Sequence, residues 1–281
     1  MDLDHLLKQI DRLKAFSQIE HKVLQIVGDE ESSMKDLVEV IQYDAATTAN
    51  LLRMCNSSYF ALSRKITSVH QAVTYLGTDK VGWLVMMGSS SDMLGKAQPG
   101  YDLSEGELWR YSVASALIAQ EIAEKCHFKN RSFVFTSALL KDLGKIILND
   151  HVKDAAQEIL AGVRERGMTF LEAEKEVLGI DHAEIGARIG EKWGFSPLMV
   201  EVIRNHHFPK VTSSEDLSLP IVYLSDSICM MMGIGGGLDG LAYRYHQDVV
   251  DRLKFSDLDL QETIANFQEK FRSVEEWIHL S

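Results

Sequence analysis

The sequence predicts an all-α protein built of two packed helical lobes. Apolar residues recur at helical spacing through nearly the whole chain, and no alternating strand pattern persists. Only four prolines and 19 glycines occur in 281 residues, few for an all-β chain that must turn often. Serines and aspartates suited to N-capping stand just ahead of successive apolar stretches.

Taken in order, "SSMKDLVEVIQYD" predicts a helix with Met34, Leu37, Val38 and Ile41 on one face. Ser33 and Asp36 supply a capping box at its start. Asp44 opens the next helix, whose inner edge is Leu51, Leu52 and Cys55. "SVHQAVTYLGTDKVGWLVMM" predicts two short helices broken at Gly77. The Gly-, Ser- and Pro-containing stretch 88–102 interrupts the period and marks the lobe boundary. The N-terminal lobe is thereby expected over 1–95, and the second, with the C-terminal helices, over 100–281. "SEGELWRYSVASALIAQEIAEKC" follows, with Ser104 and Glu107 as a second capping box and Tyr111, Ser115, Ile118 and Ile122 on one stripe. "TSALLKDLGKIIL", "AAQEILAGVRERG" and "TFLEAEKEVLG" predict further helices. Asp181 and Ser196 are N-caps of the next two, Pro197 takes a first helical position, and Pro209 closes the second. Pro220 opens "PIVYLSDSICMMMG", and two or three charged amphipathic helices complete the chain from about 240.

The formal net charge of -12 opposes binding to a phosphate backbone. The polar faces carrying Asp36, Glu39 and Asp44 have the wrong sign for a DNA-reading helix pair. Cys55, Cys126 and Cys229 form no disulfide framework, which suits a reducing cytoplasm. The longest apolar stretch, "VGWLVMMG" at 81–88, is too short to span a bilayer, and the charged N-terminus does not resemble a signal peptide. A cytoplasmic protein with neither nucleic-acid nor membrane partners is expected. "GIGGGLDG" at 233–240 lacks the Gly-Lys-Ser/Thr and preceding strand of a phosphate loop, and is expected to be an inter-helix turn.

Several residues could carry chemistry. Asp226 is the single ionisable carboxylate on a helix apolar nearly all round, so it is expected to be buried and partnered. His182 shares a face with Ile185, Ile189 and Trp193. His206 and His207 lie three and four residues after Ile203, so at least one points inward. With Asp142, these are ligand types for Zn, Fe, Mn or Ni. Lys141 precedes Asp142 and cannot ligate a metal while protonated. On one continuous helix Lys141 would fall on the solvent side and Asp142 at the edge of the apolar stripe. In a metal-free site its ammonium could instead lie between Asp142 and Asp226.

The ordered set "LLKDLGK", "DHAEIG", "NHHFP" and "LSDSI" resembles the HD phosphohydrolase superfamily. "IQYDAATTANLLRMCNSSYF" and "ITSVHQAVTYLG" resemble its HDOD branch, with a match over about residues 10–210. The resemblance implies ligand-type positions at Asp142, His182, His206, His207 and Asp226. It also implies that Tyr111 and Lys141 stand where the superfamily has metal-binding histidines. The "GYP" stretch of the cyclic di-GMP-cleaving branch is missing from "HHFPKVTSSE". The expectation is a bacterial signal-transduction protein, non-catalytic or weakly catalytic, with a degenerate metal site, no cofactor and a protein partner in its pathway. A small nucleotide ligand is compatible with it. The alternatives are a phosphohydrolase using one divalent transition metal on a nucleotide or phosphoester, and a helical scaffold.

Overall fold

The computed structural model describes residues 3–13, 16–27, 29, 32–60, 62, 64–208, 216–235, 237–241 and 246–278. The first helices are α1 (Leu3–Arg12), α2 (Gln18–Val27), α3 (Met34–Gln42), α4 (Ala45–Cys55), α5 (Val69–Leu76) and α6 (Thr78–Leu94). Next come α7 (Glu107–Lys125), α8 (Arg131–Leu140), α9 (Gly144–Asp154), α10 (Ala156–Arg166) and α11 (Phe170–Leu178). The remainder are α12 (His182–Lys192), α13 (Pro197–Asn205), α14 (Ser218–Met231), α15 (Gln247–Leu253) and α16 (Asp257–Ile278). The fold is all-α, and the described residues contain no strand, only an isolated bridge between Gln98 and Leu103.

Local chemistry sets most of the helix starts. The Ser33–Asp36 box forms in both directions. Asp44 caps α4 by accepting from the Thr47 amide at 2.6 Å, and Asp181 caps α12 by accepting from the Glu184 amide at 2.7 Å. Ser196 caps α13, with Pro197 at its first position. The expected closure by Pro209 lies outside the described residues. The break at Gly77 is present, and its φ of +86° explains why glycine stands there.

Three expectations about elements need correction. The helix after Gly77 is not short: α6 runs to Leu94, through the Gly-Ser-Ser-Ser stretch read as an interruption. Ser90 Oγ donates back to the Met86 carbonyl and Ser91 Oγ to that of Gly88, while Ser89 Oγ donates to Glu20 of α2 at 2.8 Å, so the serines are satisfied without breaking the helix. At α7 only half of the Ser104–Glu107 box forms. The Ser104 amide donates to Glu107 Oε2, but left-handed Gly106 intervenes and the helix begins at Glu107.

The third correction decides the site. "TSALLKDLGKIIL" is two helices, because α8 ends at Leu140 and α9 starts at Gly144. A Cβ on Gly144 would lie 1.8 Å from the His182 carbonyl oxygen. Glycine therefore lets the turn press against the first residues of α12. A single-helix projection, which puts Lys141 on the solvent side, fails across this turn; Lys141 is completely buried, as its alternative placement between Asp142 and Asp226 requires.

Helix α7 is buried on nearly every side and packs against α8 and α14. Helix α6 touches α2, α4 and α5 as well as α7 and α8. The α8–α9 turn lies among α7, α12, α13 and α14, which carry the remaining site residues.

Candidate functional site

The structure brings every sequence-predicted site residue into one buried cluster. Tyr111 comes from the first turns of α7, and Lys141 and Asp142 from the α8–α9 turn. His182 is the first residue of α12, His206 and His207 follow α13, and Asp226 sits within α14. Lys141, Asp142, His182, His206 and Asp226 are each 1% exposed or less.

Two ammonium groups organise the carboxylates. Lys141 Nζ hydrogen-bonds Asp142 Oδ2 and lies 2.6 Å from Asp226 Oδ1. Tyr111 donates its hydroxyl to that same Asp226 oxygen at 2.5 Å, and Lys141 Nζ stands 4.4 Å over the Tyr111 ring. Lys145 Nζ lies 2.9 Å from Asp142 Oδ1, out of hydrogen-bonding line, and donates to Asp239 Oδ2 at 2.5 Å. Burial opposes the charge on Lys141, but Asp142 and Asp226 outweigh it and raise its pKa. Burial likewise opposes ionisation of Asp142, yet Lys141 and Lys145 hold it well below the usual carboxylate range. Burial together with nearby Asp226 keeps Tyr111 a neutral donor.

The histidines are oriented from outside the cluster. Glu174 Oε2 accepts from the His182 amide and, at 2.8 Å, from His182 Nδ1. Tyr101 donates to the other Glu174 oxygen at 2.5 Å. This fixes a proton on His182 Nδ1 and turns Nε2 inward, 3.7 Å from Asp142 Oδ1. His206 Nδ1 donates to the Ile203 carbonyl at 2.7 Å, which leaves Nε2 buried without a hydrogen-bond partner, 3.8 Å from Asp142 Oδ1. His182 Nε2 and His207 Nε2 are 2.9 Å apart, so one of them must carry the shared proton. Burial lowers the pKa of His182, but Glu174 overcomes this and raises it. Burial pushes His206 down to about 4, and burial with its histidine neighbours holds His207 well below its ordinary value.

A sequence model of the HDOD domain matches residues 13–209. The chain belongs to the HDOD domain family. Its fold is similar to that of an HDOD domain protein of unknown function from Geobacter sulfurreducens, with a TM-score of 0.77 and 22% identity, covering 98% of this chain and 95% of that one. It is also similar to a signal transduction protein, so named provisionally, from Marinobacter aquaeolei VT8, at a TM-score of 0.74 and 18% identity over 98% of this chain and 64% of that one. A third similar structure is a candidate phosphohydrolase from Shewanella amazonensis SB2B, at a TM-score of 0.66 and 22% identity over 95% and 97%. An uncharacterized protein from Treponema pallidum (strain Nichols) is 22% identical over 203 residues, 70% of this chain and 38% of that one. The chain thus spans well under half the length of that curated relative.

The resemblance to HD phosphohydrolases implies a metal, and the donor set of this HDOD chain decides whether one fits. Ligand atoms of Asp142, His182, His206 and His207 lie within 4.8 Å of one another. His182 and His206 have their Nδ1 atoms committed outward, as metal-binding histidines do, and His206 Nε2 lacks a partner. These four residues fit one divalent ion. Such an ion would supply an ionised water at neutral pH. The space between Asp142 and Asp226 does not fit a second, because the Lys141 ammonium fills it.

Sequence reasoning missed Lys145, Glu174, Tyr101 and Asp239. Lys145 could have been found from its i, i+3 spacing to Asp142. Glu174 stands one helical turn after buried Phe170, a place where an unpartnered carboxylate is unexpected. Asp239, in the turn read correctly as inter-helical, carries no periodic signal. Its partner is 94 residues away and is set by tertiary packing alone.

Proposed function

We propose that the protein is a regulatory HDOD protein of a signalling pathway in which the ancestral cation position between Asp142 and Asp226 is taken by Lys141. The supporting observation is the fully buried Lys141 ammonium, in contact with both carboxylates. An ammonium there balances the charge that a metal would otherwise balance, but it cannot ionise a water for attack on a phosphoester. The signal-transduction name of the Marinobacter structure agrees with this reading. Its output in this reading is contact with a protein partner, and a small nucleotide is compatible as a ligand. No helix among the described residues is long and apolar enough to cross a membrane.

One observation favours a second reading. The unpartnered His206 Nε2, beside Asp142, His182 and His207, suits a single bound ion and a metal-dependent phosphohydrolase. Elemental analysis of untagged protein, paired with a phosphodiesterase assay on cyclic di-GMP with added Mn or Fe, separates the two. The regulatory reading expects substoichiometric metal and no turnover. Stoichiometric metal, with turnover that disappears in Asp142→Ala, would overturn it.

A further inference from the structure

A cleft of about 430 Å³ opens between α2, the start of α8 and the start of α13, well apart from the buried cluster. Leu24, Phe133, Phe195 and Met199 give it an apolar wall. Among the described residues that line it there is no Asp, Glu, Lys or Arg, in a chain of net charge -12.

Two helix N-termini face this apolar wall. Asn130 caps α8 by accepting from the Phe133 amide, and Ser196 caps α13 by accepting from the Met199 amide; both caps line the cleft. Each cap satisfies one amide of a first turn whose N–H groups lack intrahelical partners, Pro197 of α13 contributing none, and each helix start carries partial positive charge. A separate observation points to a ligand. Ser132, on the cleft wall, is 4% exposed, and its Oγ has no hydrogen-bond partner. Such a hydroxyl is costly to leave unsatisfied.

We propose that this cleft binds a small amphipathic anion: a carboxylate or similar head group on an apolar body. The head group accepts from Ser132 Oγ and lies at the two positive helix ends. The body lies on the apolar wall, and the cleft's volume is in the range of small-molecule sites. The absence of lining carboxylates removes the repulsion that most of this acidic surface would impose. The two helices it touches end, at their other termini, in Lys141 and His206, so an occupant braces both supports of the buried cluster from one side. The binding claim stands whether or not that cluster holds a cation.

The test is calorimetric titration of the full chain with octanoate as the anionic probe and octan-1-ol as its uncharged counterpart. Saturable binding of one octanoate is expected, with octan-1-ol at least tenfold weaker. Ser132→Ala should weaken octanoate several-fold, and Leu24→Trp, which fills the cleft, should abolish binding. Circular dichroism melting checks that each variant is folded. Should Leu24→Trp unfold, Ser132→Ala decides, because it removes only an oxygen that lacks a partner. No saturable octanoate binding, equal affinity for the alcohol, or octanoate binding unchanged in folded Ser132→Ala would each overturn the proposal.

Discussion

Lys141 Nζ lies 2.6 Å from Asp226 Oδ1, across 85 residues of sequence and with no solvent exposure of either side chain. Tyr111 donates to the same oxygen, and Asp142 holds the ammonium from its other side. One lysine thereby bridges a carboxylate of the α8–α9 turn and one of α14, and its removal leaves two buried anions facing each other with only the Lys145 ammonium near Asp142.

Lys141→Met is therefore expected to destabilise the fold by about 3–5 kcal/mol, the usual penalty for removing one partner of a buried pair. The double variant Lys141→Met with Asp226→Leu should lose less than the single, because the stranded charge goes with it. Urea unfolding with a two-state fit measures both. A single variant as stable as the parent would show that the ammonium does not hold these carboxylates.

Stability should fall on both sides of neutrality in protein freed of divalent ions by chelation. His206, lowered to about 4, and His207, also lowered, bind fewer protons folded than unfolded below about pH 6.5. Their neutral forms stabilise the fold, and that contribution is lost as pH drops from about 6.5 toward 4. For His206 it amounts to on the order of 3 kcal/mol. His182 has the opposite sign: its raised pKa gives stability present at low pH and lost as pH rises through its folded value. Melting temperature against pH checks this, and His206→Gln should flatten the acid limb.

We propose that two helical lobes meet near 88–104 as one rigid unit, which predicts slow proteolysis there. Helix α6 runs through the first half of that stretch. In the second half Tyr101 is fully buried, and the Gly100 amide donates to Asn149 Oδ1 at 2.8 Å. A protease needs extended, accessible chain, and this segment offers little. Limited trypsin digestion followed by mass spectrometry would show first cuts elsewhere. Rapid cleavage between 88 and 104 into two folded fragments would show a flexible linker.

The legibility of the chain divides along a physical line. Caps and periods act over three to seven residues, so the Asp181 and Ser196 starts and the inward face of His182 were readable. Asp226 was readable because one charge on an all-apolar helix has few places to go. Lys141 was ambiguous because its direction depends on the turn at 141–143. That turn exists because Gly144 meets α12, a contact 38 residues distant in sequence. Glu174, Tyr101 and Asp239 act on site residues from other elements, and nothing within their own elements names those partners.

The cluster's geometry also makes restoration of the metal site testable. Tyr111 and Lys141 are the two positions where the superfamily resemblance places histidine, and in the fold both reach Asp226 Oδ1. Lys141→His exchanges a fixed charge for a neutral donor, but leaves Tyr111 hydrogen-bonded to a carboxylate a metal would need. Tyr111→His alone leaves the ammonium between Asp142 and Asp226, where a dication would be repelled. Each single variant should thus gain little affinity. The double variant removes both obstacles while Glu174 and the Ile203 carbonyl still aim His182 and His206 inward. Its affinity for Mn, Ni or Zn should rise at least tenfold over the parent, and by more than the two single changes combined. Lys145 remains beside Asp142 and limits the gain, so Lys145→Met added to the double variant should raise affinity again if it folds. Calorimetric titration at fixed pH measures each step. A folded double variant with unchanged affinity would mean that positions 111 and 141 do not share one metal pocket with Asp142, His182 and Asp226.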